Sequence, residues 1–299
     1  GDLKLDQGFA AAGSVRARRA SVGGDLDCRG AAFDRVGDAA WGEGISLVLD
    51  KARIGGTLHL AGLQAPLLGA SLAGTRAGAL VDDANTWGER LVLDGFAYSR
   101  FGDGASLDSG FRLGWLECQL PAHLADDFRM QPWQRVIHVL RRMGRSGSAG
   151  TLAVRREQRL RRIGRIGSSM PAALRWSARA AHAAFGALAG YGWRPQRLAG
   201  WTLSAWFGGS LLFGLAEQRS AIRALGSAEA AAFEPLSYAL DLLLPGIDLH
   251  EASRWAPVAG TAWGEAVRWT GGALQVFGAL VAVLLLVSLA GWADRERRR

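Results

Sequence analysis

The sequence predicts a mixed β and α chain: an N-terminal Gly-rich parallel β-solenoid, a helical hairpin, and a C-terminal two-helix transmembrane region. Three observations carry this. Two stretches near the C-terminus, Leu198–Ala216 and Gly271–Trp292, contain no charged side chain. At ~1.5 Å per residue each covers roughly the 30 Å of a bilayer core. The front of the chain repeats with a period of 32 residues, and a change to helical spacing separates the two regions.

The repeat aligns Val15, Ala17, Ala20, Val22, Gly23, Gly24, Leu26, Cys28 and Gly30 with Leu47, Leu49, Ala52, Ile54, Gly55, Gly56, Leu58, Leu60 and Gly62. Gly88–Gly95 reads as a weaker third copy. A shorter beat of 11 or 12 residues runs inside it, in Gly1-Asp2-Leu3, Gly13-Ser14-Val15 and Gly24-Asp25-Leu26. Alternation such as Leu3/Leu5, Leu26/Cys28 and Leu58/Leu60 sends one face inward and Asp2, Lys4, Asp25, Asp27 and His59 outward. The glycines fit corners with positive φ or places where neighbouring rungs approach closely. A unit of this kind buries its apolar face only by stacking, which predicts a solenoid over 1–120; an antiparallel sandwich is the alternative. Gly1 falls inside a repeat and the chain does not begin with Met, so residues are expected to precede it.

Over 128–190 the pattern predicts an Arg-rich helical hairpin and an interfacial helix. Pro132 opens the first arm, with Trp133, Val136, Ile137, Leu140 and Met143 on one face. Gly144–Gly150 breaks it, and a second arm from about Thr151 carries Arg155, Arg156, Arg159, Arg161, Arg162 and Arg165, which suit a solvated face or anionic lipid. Leu174–Leu188 completes this region, with Arg175, Arg179 and His182 on one side.

Spans are expected at 198–216 and 271–292, joined by a connector at 217–270 and followed by a basic tail at 293–299. Trp201, Trp269 and Trp292 suit the interface. The spans' small residues, Ser204 with Gly208 and Gly278 with Ala282, suit close helix contact within the chain or between copies, with Gln275 able to bond across it. The net charge of +8 is almost all arginine; Lys4 and Lys51 are the only lysines among 35 basic residues. Ten arginines against Glu157 alone lie between Arg155 and Arg197, while the connector carries four against seven acids. The positive-inside rule then places both ends of the chain in the cytoplasm and the connector outside. Anionic lipid explains the arginines better than nucleic acid does.

The connector string from Phe233 to His250 predicts a short helix opened by Pro235 and stopped by Pro245-Gly246, with Phe233, Leu236, Leu240, Leu243 and Leu244 on one face. It is too short to span, so it lies on the outer surface or re-enters. Its candidate functional residues are Tyr238, Asp241, Pro245, Gly246 and Asp248. The G-G-D-L-type rungs, the hairpin, and two spans around Tyr238, Leu240, Asp241, Leu243, Leu244, Pro245, Asp248 and Leu249, with Trp255 following, resemble a group of bacterial membrane proteins commonly labelled "membrane-associated oxidoreductase". That resemblance covers nearly the whole chain and implies an inner-membrane location.

No strand–G-x-G-x-x-G–helix fingerprint is present, and no haem or iron–sulfur cysteine pattern. Cys28 and Cys118 stand far apart, fitting neither a disulfide framework nor a metal site. Asp248, His250 and Glu251 read as solvated loop residues rather than metal ligands, and His138 as a helix-packing residue. No catalytic residue, cofactor or metal is assigned. The expected role is a cytoplasm-facing scaffold or sensor, with a protein partner or self-association through the solenoid and spans. A redox enzyme and a two-span pore-loop channel, with Asp241 or Asp248 forming a carboxylate ring, are the alternatives.

Overall fold

The computed structural model describes residues 1–6, 8–33, 44–225 and 232–297, with 195 and 287–297 described by backbone only. The tail residues Arg298 and Arg299 lie outside the described residues, as do the side chains of Trp292, Arg295 and Arg297. The chain divides into two units, Gly1–Ser169 and Met170–Arg299.

The first unit is a parallel β-solenoid of about four turns. One sheet stacks Leu3–Lys4, Leu26–Asp27, Arg53–His59, Arg76–Val81 and Ala97–Phe101, and a second stacks Val15–Arg16, Leu47–Val48, Gly69–Ser71 and Arg90–Val92. The repeat seen in sequence is true stacking register: Val15 lies over Leu47, Val22 over Ile54, and Leu26 over Leu58. The rung length is shorter than 32. Leu3 pairs with Leu26, Leu58 with Leu80, and Leu80 with Phe101, offsets of 23, 22 and 21. The one offset of 32 crosses the segment containing 34–43, which lies outside the described residues. Gly88–Gly95 is therefore no third copy at that period: Leu91 stacks on Ala70 in the second sheet. The beat of 11 or 12 is half a turn.

Glycine is required here for two different reasons. A Cβ on Gly55 would overlap the Gly23 carbonyl oxygen, and one on Gly78 would meet the Gly55 and Gly56 carbonyls at 2.7 Å. At the corners, Gly74 and Gly95 continue a column begun by Arg19 and Lys51, all with φ between 57° and 75°. Where the glycine pairs kink the strands, aspartates supply the missing acceptors. Asp2 accepts from the Asp25 N–H at 3.0 Å and Asp25 from the Thr57 N–H at 2.6 Å. Asp27 does not point outward into water: it is buried, chelated by Arg29, whose hydrogen bonds hold its carboxyl down to about 2.

Helices close the last rung. These are α1 (Ser109–Glu117), α2 (Pro121–Leu124), α3 (Met130–Arg142) and α4 (Ser146–Arg162). Asp108 caps α1 by accepting from the Gly110 and Phe111 N–H groups. Gln131 of α3 imitates a further rung, accepting from the Gly95 N–H at 3.0 Å and donating to the Phe96 carbonyl at 2.9 Å. This satisfies a sheet end that would otherwise template association. Trp133, Val136, Ile137 and Leu140 are buried as their spacing predicts, while His138 is exposed rather than packed. Helix α4 starts at Ser146 instead of Thr151, because only the turn at Gly144, with φ 77°, breaks the helix; Gly147 and Gly150 remain inside it.

Arg112 of α1 is fully buried with Asp82, two parallel N–H···O bonds of 2.7 Å joining them. Its Nε donates to the Ser106 carbonyl at 2.7 Å, its guanidinium lies 3.8 Å from the Phe101 ring centroid, and Trp87 donates to the same carboxylate. Every strong polar group of the pair has a partner, as burial demands.

The second unit comprises α5 (Ala172–Ala189), α6 (Pro195–Glu217), α7 (Pro235–Leu243) and α8 (Ala262–Arg297). Strands Ile222–Ala224 and Trp255–Pro257 pair antiparallel and join the adjacent ends of α6 and α8, a hairpin that the connector's sequence does not announce. Phe213, Tyr238, Leu242, Leu243, Trp255, Val267 and Leu274 form its core.

Candidate functional site

Helices α6 and α8 are long and apolar enough to cross a membrane. Only 22 % and 17 % of their apolar windows are buried, whereas the core helix of a soluble protein would be mostly buried. The exposed side chains include Leu203, Phe207, Leu211 and Leu215 on α6, a four-residue spacing that makes one stripe. Val276, Leu280, Val283 and Leu286 do the same on α8. Thr202 and Ser210 donate to the carbonyls four residues earlier, so neither leaves a hydroxyl unpaired. The two helices meet at Gly209, where a Cβ would press on Leu274, and not through Ser204 and Gly208, which are exposed. Gln275 is exposed too and forms no bridge between them.

Helix α7 does not lie across the end of this pair. It runs back along it. Pro235 packs near Gly214, the Trp206 indole donates to the Leu236 carbonyl at 2.9 Å, and Phe213 meets Tyr238 edge-on at 5.0 Å. At its other end the Leu243 carbonyl sits against Gly278, the small residue that admits it. Leu244 and Pro245 then enter an apolar cleft of ≈ 440 Å³ with Leu198, Thr202, Val281 and Leu285.

The buried face differs from the predicted one: Tyr238, Ala239, Asp241, Leu242 and Leu243 point inward, and Leu236 is 49 % exposed. Asp241 belongs to that face because its carboxylate folds the returning segment against α7. One oxygen accepts from the Leu249 N–H at 2.7 Å, the other from the Glu251 and Ala252 N–H groups at 3.0 and 2.8 Å. Gly246 turns the chain with φ 82°. Asp248 and His250 are exposed and pair with each other at 2.9 Å, while Glu251 pairs with Arg254. Asp241 and Asp248, alike in sequence, thus have opposite surroundings.

With this geometry in place, comparison with family models, curated proteins and solved structures adds nothing: none matches the chain. Its chemistry has to be read from its own residues.

The Arg-rich arm is divided. Arg159 donates to Glu117 at 2.9 Å and Arg165 to the Asp126 carbonyl at 2.7 Å, tying α4 and the turn after it to their own unit, while Arg156 pairs with its neighbour Glu157 within α4. Arg155 and Arg162 are exposed and Arg161 half-buried, without an ion pair among the described residues. A second basic group went unnoticed in the sequence. Arg19 and Lys51 stack at one solenoid corner, and Arg53 and Arg76 are register partners two residues on, all four exposed. Only stacking reveals it, because the stacked partners are 32 and 23 positions apart.

Both thiols are free. Burial pushes Cys28 up to about 12, and Cys118, at a cleft of ≈ 670 Å³ with Glu89, Glu117 and Arg159, is also raised by burial. Thiolate is the reactive form. A neutral-pH alkylating reagent should therefore consume Cys118 slowly and leave Cys28 unmodified until the solenoid unfolds, which mass spectrometry of peptides will show. Early modification of Cys28 would contradict the stacking of this rung.

Proposed function

We propose that the chain is a membrane-anchored β-solenoid of the bacterial inner membrane, acting as a scaffold or sensor and not as an enzyme. The observation that carries this reading is the pair of apolar stripes on α6 and α8, which water would not tolerate at that length and which lipid covers. The solenoid supplies the interaction surface. Arg19, Lys51, Arg53 and Arg76 crowd like charges at strand spacing, an arrangement that favours a protein partner with an acidic face. Arg155, Arg161 and Arg162 are available to anionic headgroups. The arginine distribution supports cytoplasmic placement of the solenoid and of the tail.

The test uses the full chain tagged after Arg299 in bacterial cells. The protein should stay with membranes washed at alkaline pH, and the tag should resist protease added outside intact cells. Release by the wash would overturn the anchor, and external cleavage the orientation. Stoichiometric flavin or haem absorbance in the purified protein would overturn the non-enzymatic reading.

A further inference from the structure

Hydrocarbon tolerates irregular backbone only where protein or water covers it, since an unsatisfied N–H or C=O there costs several kcal/mol. The segment after α7 meets this constraint directly. Gly209 facing Leu274 fixes the level of α6 against α8. Beside them α7 descends about 13 Å, from Gly214 to Gly278. Pro245 lines one apolar cleft with Leu198 and Leu285, on the side of the far end of α6, and Asp241 holds Leu249, Glu251 and Ala252 at the depth of α7 itself. Residues 246–250, non-helical throughout, are exposed at that depth, with the Asp248 and His250 side chains 69 % and 71 % accessible. A carboxylate facing lipid near the middle of a bilayer costs roughly 2.5–3.5 kcal/mol even on insertion scales. Lipid is the wrong neighbour for this surface.

We propose that copies of this chain assemble in the bilayer with their 244–251 hairpin tips turned toward a shared water-filled path, along which small cations pass the Asp248 carboxylates. The inference rests on the membrane placement proposed above. A second copy is the fitting cover because the polar tip lies on one side of each helix pair, and closed symmetry brings identical tips together while leaving the apolar stripes to lipid. Ser204 and Gly208 leave a smooth, exposed strip on α6 for such contact. The two aspartates divide the work: Asp241 is occupied by three backbone N–H groups and holds the tip in shape, whereas Asp248 faces the path.

The experiment uses the full chain carrying Cys28→Ala and Cys118→Ser, with either Asp248→Cys or Phe207→Cys, in phosphatidylcholine–phosphatidylglycerol liposomes. The probe is a membrane-impermeant, positively charged thiosulfonate, and oxidative cross-linking is carried out on a separate, unlabelled sample. Cation uptake is measured in parallel with the natural residue at 248 and with Asp248→Asn. The Asp248→Cys protein should label rapidly and cross-link chain to chain, Phe207→Cys should stay unlabelled, and Asp248→Asn should lower uptake severalfold. Labelling at 248 without cross-links, with a single-chain mass, would leave a lone water-filled dimple and overturn the assembly. An unlabelled 248, or uptake indifferent to Asp248→Asn, would overturn the path. Labelling of Phe207→Cys as well would show instead that the membrane placement itself is wrong.

Discussion

Arg112→Met is expected to remove about 3–5 kcal/mol from the solenoid's stability, the usual consequence of deleting one partner of a buried ion pair. Methionine fills much of the arginine's volume and keeps an apolar contact with Phe101, so lost packing is a small part of the effect. What remains is the Asp82 carboxylate, fully buried, with the Trp87 indole still donating to it. The Ser106 carbonyl loses its donor too. Domains of this size have only ~5–15 kcal/mol in total, so the variant should unfold far earlier in urea when the β-sheet signal of the detergent-solubilised chain is followed by circular dichroism. Asp82→Leu combined with Arg112→Met should recover most of the loss, because an apolar pair leaves no charge stranded. Arg129→Met, which breaks a half-exposed pair with Asp94, should cost under about 1 kcal/mol. Equal midpoints for Arg112→Met and Arg129→Met would mean that Asp82 reaches water.

That pair also marks where the sequence stops being legible. The stacking partners Val15/Leu47, Val22/Ile54 and Leu26/Leu58 were readable because parallel coils place like residues on like residues. The next rung was missed. Its strands carry Ala70 and Ala77 where the preceding rung carries Leu47 and Ile54, and small residues leave no hydrophobic alternation to detect. Arg112 and Asp82 are 30 residues apart, and nothing local says which arginine meets which aspartate. Gln131 looks like any helical glutamine until the Gly95–Phe96 edge lies beneath it.

For α7 the difficulty is of another kind. Apolar periodicity finds the inward face only when the outward face is wet, and Leu236 shows that the outward side here is also apolar. The informative residue was Asp241, whose polar side chain marks the buried face because it satisfies backbone donors. The candidate residues Pro245 and Gly246 are the turn itself, and Tyr238 is packing against Phe213 and Phe233.

Gly278→Ala tests that placement of α7 with the sharpest contrast. In an open helix the change from glycine to alanine favours the helix by ~1 kcal/mol, and Gly272→Ala, with nothing within 4 Å, should be neutral or stabilising. At Gly209 an added Cβ would meet the Leu274 Cδ1 at 2.7 Å, the end of a side chain that can rotate away. At Gly278 it would overlap the Leu243 carbonyl oxygen and stand 2.8 Å from its carbon. Backbone cannot rotate aside, so α7 must lift from α8 or α8 must bend. The expected order of damage is therefore Gly278→Ala, then Gly209→Ala, then Gly272→Ala, whereas helix propensity alone would make all three alike and stabilising. The readout is amide exchange at Leu249, Glu251 and Ala252, whose N–H groups are protected by Asp241 only while α7 is seated. Gly278→Ala should speed exchange there manyfold and Gly272→Ala leave it unchanged. Unchanged exchange in both would mean that α7 does not run back along the two long helices, and the polar tip would then lie outside the apolar layer altogether.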